Sequence, residues 1–200
     1  MEILIYVSKI TNRLFYIIEL ILKEELGISF KFTTDKEKYL SHEGPKMHYG
    51  KSPLENDNGL FLQSVNLLFE RDIADQDVKL CKYNETKAIF PVFNDNSILP
   101  FDVLAASFYI ITRYEEYLPH VSDQYNRFQP QDSILYKMET FETPIINVWA
   151  KELGEIIKSK YPDIQLKKKT FKFIPTYDID AAWAYRNKGL FRTTAAFLRD

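Results

Sequence analysis

The sequence contains a single cysteine, Cys81, among its 200 residues, so no disulfide can form within the chain. This excludes the class of small secreted domains that disulfides hold together. No histidine or second cysteine stands at ligand spacing from Cys81. We therefore interpret it as a small strand residue rather than a nucleophile.

Glycine is also scarce, with six in the chain, and none lies in the segment from Ser8 to Asn12 that follows the first apolar run. A dinucleotide fingerprint or a P-loop would need glycines at this place. Both motifs are excluded there. A flavodoxin-like regulatory domain is one possible interpretation of the chain, but the absence of glycine from this turn argues against phosphate binding there.

The chain lacks an excess of either charge and lacks a long hydrophobic run. It has 26 basic and 28 acidic residues, and its only run of like charge, residues 167–169, is short. No apolar stretch reaches the roughly 20 residues that a membrane-spanning helix needs, and the N-terminus lacks the features of a signal peptide. We expect a soluble, cytoplasmic protein without nucleic-acid or membrane partners.

The apolar pattern of the first 33 residues predicts a β-α-β unit. Strands at residues 3–7 and 28–33 flank a helix at 13–26, which Thr11 or Asn12 can cap and Gly27 can end. The connection is long enough for a parallel crossover. We predict an α/β fold, with a three-layer-like N-terminal domain that contains a partly parallel sheet.

The remaining elements are predicted from spacing and from breakers. Two helices are indicated, at 101–117 before Pro119 and at 145–161 after Pro144. Short strands are expected near 46–49 and 88–93, residues 59–69 fit either a strand or a short helix, and 123–136 are expected to form a loop. The domain boundary is placed between residues 166 and 167, which gives domains 1–166 and 167–200.

The alternating apolar segment at 167–177 predicts a strand that carries Asp178 and Asp180 to its C-terminal tip. Residues i and i+2 of an extended chain point the same way, so the two carboxylates can meet on one metal ion or one substrate group. The alternative is that they cap the helix that follows.

The tip Thr176-Tyr177-Asp178-Ile179-Asp180 resembles the first motif of the polysaccharide deacetylase (NodB-homology, carbohydrate esterase 4) superfamily. The commonest form has adjacent aspartates, and divergent branches have the Asp-x-Asp spacing seen here. From about residue 98 onward, and through segments 101–118 and 123–128 above all, the chain is similar to deacetylase-like proteins of Bacteroidetes-type bacteria. In those proteins an α/β domain of unknown function precedes the deacetylase-like β/α barrel.

The resemblance implies roles for four residues of the C-terminal segment. Asp178 would act as the catalytic base and Asp180 would bind a divalent metal, with zinc the expected ion, while Trp183 and Tyr185 would line a sugar subsite. The parent protein would remove N-acetyl groups from a glycan by metal-dependent hydrolysis. The chain would hold only the first strand of its barrel.

The superfamily's second metal motif, a His-x3-His pair, has no counterpart in this sequence. The three histidines, His42, His48 and His120, all precede the aspartates and do not match that spacing. One or two carboxylates make a poor zinc site, so the chain as it stands is expected to be inactive and to hold no cofactor. We also expect a homodimer through the truncated C-terminal segment.

Arg113, Glu115 and Glu116 form a charged group near the end of an otherwise apolar predicted helix. They could form a polar patch that faces the barrel or a saccharide, with Tyr114 and Tyr117 as stacking surfaces. The other interpretation is an ordinary ion-paired helix end. The alternative function for the whole chain is accordingly a non-catalytic module that binds carbohydrate or packs on the barrel.

Overall fold

The computed structural model of the protein describes residues 2–178, and its central element is a four-stranded parallel sheet. The strands are β1 (Glu2–Tyr6), β2 (Ser29–Thr33), β3 (Lys46–Gly50) and β4 (Leu60–Gln63), in the spatial order β2-β1-β3-β4. The predicted α/β class and the parallel pairing of the first two strands are confirmed. A separate antiparallel hairpin consists of β5 (Leu80–Tyr83) and β6 (Thr86–Ile89).

Within residues 2–178, five α-helices accompany the strands: α1 (Asn12–Ile18), α2 (Lys36–Leu40), α3 (Val103–Ile111), α4 (Ile134–Met138) and α5 (Ile145–Lys160). Helix α1 continues directly as a π-helical segment, Glu19–Glu25. Short 3-10 turns stand at Leu67–Phe69, Tyr114–Tyr117 and Pro130–Asp132.

The β-α-β unit ends where the predicted capping residues stand. The Thr11 hydroxyl accepts a hydrogen bond from the Leu14 amide and begins α1. Gly27 has a φ of +73°, the left-handed backbone that glycine adopts without strain, and it follows the π-helical segment. The sequence did not predict the change from α-helix to π-helix, because the apolar spacing of 3–4 residues continues through the π-helical segment.

The sheet separates two groups of buried side chains because neighbouring strand residues point to opposite faces. Ile3, Ile5, Met47, Tyr49 and Leu62 belong to the main core, together with buried residues of α1, α3 and α5. Trp149 of α5 is 1% exposed, and its ring lies 5.0 Å from that of Phe101. This core holds the helices that position the cleft described below.

The opposite face carries an aromatic row across three strands. The His48 ring lies 5.1 Å from that of Tyr6 and 5.3 Å from that of Phe61, matching the register of β1, β3 and β4. Tyr39 of α2 covers this row, and the Tyr161 hydroxyl donates to the Lys46 carbonyl at 2.9 Å. Packing therefore covers both faces of the sheet.

Strand β2 is an edge of the sheet and pairs only with β1 among the described strands. Phe30 and Phe32 point to one face, where both pack near Phe15. Lys31, between them, is exposed on the other face.

The helix predicted at 101–117 is shorter than expected. Helix α3 ends at Ile111, where the Thr112 hydroxyl donates to the Phe108 carbonyl at 2.7 Å. Arg113 then takes left-handed backbone with a φ of 51°, and Tyr114–Tyr117 form a 3-10 turn. The apolar spacing continues through this break, so a longer helix was predicted.

Two further predictions were wrong in part. The strand predicted at 88–93 ends at Ile89, because Phe90 has a φ of 61° and leaves extended geometry. The loop predicted at 123–136 ends at Ser133, whose side chain caps α4. By contrast, α5 follows Pro144 as expected, and β3 lies where a strand was expected.

The chain divides into two compact units, residues 1–167 and 168–200. In the second unit, residues 168–178 have no regular secondary structure, so the strand predicted at 167–177 is absent from the structure. A strand needs a hydrogen-bonding neighbour, and no described strand pairs with this segment. Phe171 and Phe173 are more than four-fifths exposed. The barrel itself stays a prediction.

Candidate ligand-binding cleft

The carboxyl edge of the parallel sheet, where open α/β folds usually bind ligands, is occupied by the chain itself. Thr11 and Arg13 follow β1, and their side chains donate to the carbonyls of Leu68 and Leu67 respectively. The Arg13 guanidinium also donates to the Asp72 carbonyl at 3.0 Å. The segment after β4 is thereby fixed across the loop after β1, which closes this edge in the described part of the chain.

Asp102 joins the same edge to α3. Its carboxylate accepts hydrogen bonds from the Tyr49 hydroxyl at 2.8 Å, the Val65 amide at 2.7 Å and the Ala105 amide at 3.0 Å. The residue is fully buried, and this burial raises the pKa of Asp102 to about 6 against its hydrogen bonds, which lower it. The sequence did not indicate the two long-range hydrogen bonds, which join Asp102 to β3 and to the segment after β4.

A cleft of about 870 Å³ opens in the described part of the chain, beyond the C-terminal half of α3. One wall comes from residues 75–80, another from the loop at 118–121, and a third from residues 128–137. Acidic and aromatic side chains contribute to the lining, among them Asp75, Tyr109, Glu115, His120, Phe128 and Asp132. A cleft of this volume lies in the range of small-molecule sites.

Glu115 holds two walls of the cleft together. One carboxylate oxygen accepts from the Ser133 hydroxyl at 2.9 Å, and the other accepts from the Ile134 amide at 2.8 Å. A carboxylate at the N-terminus of a helix is favourable because it satisfies an amide that has no partner within the helix. Glu115 thus fixes α4 to the 3-10 turn that follows α3.

The loop after Pro119 is ordered by its own side chains. Asp123 accepts from the amides of Tyr125 and Arg127 at 2.8 and 2.9 Å, and its second oxygen forms an ion pair with the Arg127 side chain. His120 stacks edge-on against Phe128 with 5.0 Å between ring centroids. The cleft therefore has a wall whose geometry does not depend on a ligand.

Tyr109 lines the cleft from α3, and it is 5% exposed. Its hydroxyl forms no hydrogen bond with any residue in the described range 2–178, unlike that of Tyr114, which contacts the backbone of Ala74. Burial, and after it the charges of Glu115 and Asp75, raise the pKa of Tyr109 to about 12.

The three residues predicted as a polar patch have different interaction partners. Arg113 pairs with Glu116 at the surface, where the Arg113 side chain is 70% exposed. Glu115 turns away from this pair towards α4. The structure thus brings Arg113 and Glu116 together, and it separates Glu115 from them.

The predicted catalytic segment lies largely beyond the described residues. Asp178 is exposed at the end of the described range. Asp180, Trp183 and Tyr185 lie outside the described residues. Within residues 2–178, no three His, Cys, Asp or Glu side chains stand close enough to hold a metal ion. Those residues therefore offer no complete fit for the ion that the resemblance implies.

The histidines occupy three different environments. His48 is buried, burial lowers its pKa to about 4, and its Nδ1 atom has no hydrogen-bond partner among the described residues. The Nδ1 atom of His120 lies 2.9 Å from the Leu118 carbonyl at the surface, and His42 is partly exposed. Cys81 lies in β5, as its interpretation as a strand residue requires, and burial raises its pKa.

Helices within residues 2–178 are all too short or too polar to cross a membrane. Together, a parallel sheet covered on both faces and a cleft built from loops define an α/β domain.

The chain belongs to a family of unknown function, DUF7033, whose sequence pattern matches residues 3–162. No curated protein matches the chain, and no solved structure matches it either. The family match covers the sheet, the cleft and α5, and it ends before the Asp178 motif.

The sequence did not indicate Tyr109 or Asp132 as site residues. Tyr109 stands on an apolar helix stripe, where a tyrosine is usually part of the core. Its unpartnered hydroxyl depends on the loop at 118–137, which no local pattern places above α3.

Proposed function

We propose that residues 2–167 form a non-catalytic accessory domain of a metal-dependent polysaccharide deacetylase-like protein. The observation that carries this proposal is the division of the chain. The family match and the first compact unit end at residues 162 and 167, ahead of the Thr-Tyr-Asp-Ile-Asp motif. The accessory domain and the proposed catalytic segment would then be separate units of one protein.

The proposed reaction is hydrolysis of N-acetyl groups on a glycan in the longer protein. Asp178 would be the base and Asp180 a metal ligand, with Trp183 and Tyr185 near the sugar, as the resemblance implies. The further ligands of the ion would come from sequence beyond Asp200. The exposed apolar side chains at 171–177 support a covering partner, which would be the rest of the catalytic domain, or a second copy of the chain in a homodimer. A cytoplasmic location stays a prediction.

A second candidate function is a carbohydrate-binding module or a packing surface for the barrel. The cleft beyond α3 favours the carbohydrate-binding form, because it combines aromatic walls with carboxylates and amides. This role is compatible with a catalytic neighbour and also with a barrel that has lost activity.

Zinc binding tests the proposed catalytic role. Calorimetry would compare the 200-residue chain with a protein extended beyond Asp200, as the proposal requires. We expect tight binding only in the extended protein, loss of binding in Asp180→Ala, and retained binding without hydrolysis in Asp178→Ala. Asp95→Ala, in a surface turn, is the matched control. Absence of binding in the extended protein would refute the catalytic proposal and leave the non-catalytic module.

A further inference from the structure

We propose that the cleft beyond α3 binds a cationic saccharide, an amino sugar whose nitrogen carries no acetyl group. The choice of a saccharide rests on the proposed function. The choice of a cation, and the place where it binds, rest on the side chains of the cleft.

The first argument is the Tyr109 hydroxyl. It belongs to a residue that is 5% exposed and lines the cleft, and no hydrogen bond joins it to another residue within 2–178. The hydroxyl oxygen is not fully enclosed, so water can reach it, and a polar group of a ligand can take the place of that water. A bound molecule with hydroxyl groups would supply the missing acceptor or donor.

The second argument is charge. Three carboxylates, those of Asp75, Glu115 and Asp132, line the cleft, against one lysine, Lys137. Both oxygens of Glu115 are engaged by α4, and one oxygen of Asp75 accepts from the Gln76 amide. Asp132 is exposed and accepts no hydrogen bond at its carboxylate from the described part of the chain. It is therefore the carboxylate best placed to pair with an ammonium group.

The third argument is the shape and lining of the walls. His120 and Phe128 form an ordered aromatic pair on one side, and Gln129 and Gln131 bring amide groups to the same wall. A sugar ring has an apolar face that packs on aromatic rings and an equatorial rim of hydroxyls that binds amides and carboxylates. A simple metal cation or a small amine would leave the aromatic wall and the buried phenol without contacts.

The proposed ligand also has a place in the proposed reaction. Hydrolysis of an acetamide consumes one water, releases acetate and leaves an amine on the sugar, which is protonated at slightly acidic pH. The cleft would therefore hold the product end of the glycan, after the deacetylation step. An accessory domain of this kind would keep a partly processed chain bound to the protein.

Three trisaccharides test the proposal on the 200-residue chain at pH 6.5, by calorimetry and by amide chemical shifts. They are a glucosamine trimer, the same trimer fully N-acetylated, and a neutral glucose trimer. We expect the glucosamine trimer to bind at least fivefold more tightly than the other two. The shifts should concentrate at residues 109, 120, 128 and 132.

Two variants and their controls locate the site. Tyr109→Phe removes only the unpartnered hydroxyl, so the fold should be unchanged and binding should weaken about three- to tenfold. Asp132→Asn should remove the preference for the glucosamine trimer. Tyr16→Phe, on the exposed side of α1, and Asp95→Asn should behave as the wild type does.

Several outcomes would overturn the inference. They are equal binding of all three trimers, no detectable binding at millimolar concentration, binding of a lysine tripeptide as tight as that of the glucosamine trimer, or a Tyr109→Phe variant that binds like wild type. Equal binding of the trimers would remove the amino-sugar specificity but leave a glycan-binding domain. Zinc binding by the extended protein is measured separately, so failure of the catalytic proposal is distinguishable from failure here.

Discussion

The buried carboxylate of Asp102 should make the stability of the domain depend on pH in an unusual direction. Its pKa rises from the ordinary value of 3.8 to about 6 in the folded chain. The folded state therefore holds the proton more firmly than the unfolded state does between these values. The stability that this proton contributes is present below pH 3.8 and is lost as the pH rises through about 6.

The size of this effect follows from the same two values. One pH unit corresponds to about 1.4 kcal/mol, so the interval from 3.8 to about 6 gives about 3 kcal/mol. Asp102→Asn removes the titration and also loses one acceptor position, since its amide nitrogen cannot accept from Tyr49, Val65 or Ala105. We therefore expect Asp102→Asn to be less stable than wild type, and the difference in the free energy of unfolding to be larger at pH 4 than at neutral pH.

Urea unfolding of wild type and Asp102→Asn, followed by circular dichroism from pH 4 to pH 7.5, measures this difference directly. The wild-type advantage in the free energy of unfolding should shrink by about 2.4 kcal/mol across that range, because at pH 4 the unfolded carboxyl is already more than half ionised. Other carboxylates cancel in the comparison, and Asp95→Asn serves as the surface control. A difference that stays constant within 0.5 kcal/mol, or that grows with pH, would refute the reasoning.

Two further predictions concern packing at the sheet and at the cleft. Gly50→Ala would place a Cβ atom 2.4 Å from Nε2 of the buried His48, so we expect a loss of about 1–3 kcal/mol in chemical denaturation. Gly44→Ala, whose Cβ meets only a partly exposed imidazole at 2.7 Å, should cost less, and equal costs would contradict this account. Glu115→Ala leaves the first turn of α4 without its acceptor and should cost about 1–3 kcal/mol. Glu116→Ala breaks an exposed ion pair and should change stability by less than about 1 kcal/mol, so a reversed order would refute the assigned roles.

Local patterns were sufficient to predict the β-α-β unit at the start of the chain. The apolar runs of β1 and β2, the Thr11 cap and Gly27 fixed a β-α-β unit because each signal acts over a few residues. Helix α5 was equally predictable, since Pro144 marks its start and a long apolar stripe marks its buried face. These features depend on sequence neighbours alone.

Features that depend on residues far apart in the sequence could not be predicted from local patterns. Helix α3 ends because Arg113 adopts left-handed backbone. The apolar residues on both sides of Arg113 keep helical spacing, so the sequence predicts an unbroken helix. Helix α4 has only five residues, and Glu115 stabilises it from another element. The cleft combines segments around residues 75, 109 and 130, which are far apart in the sequence. A local pattern therefore cannot predict that the hydroxyl of Tyr109 lacks a hydrogen-bond partner there.

The position of Lys31 has a consequence for how this domain meets its own copies. Among the described strands, β2 has no neighbour on its outer side, and unpaired backbone edges are templates for the addition of another strand. If two copies joined antiparallel about the middle of β2, their two Lys31 side chains would face each other across the exposed surface. Like charges directly opposite each other oppose pairing. Lys31 therefore disfavours this antiparallel pairing at the β2 edge, while the phenylalanines on either side of it pack near Phe15.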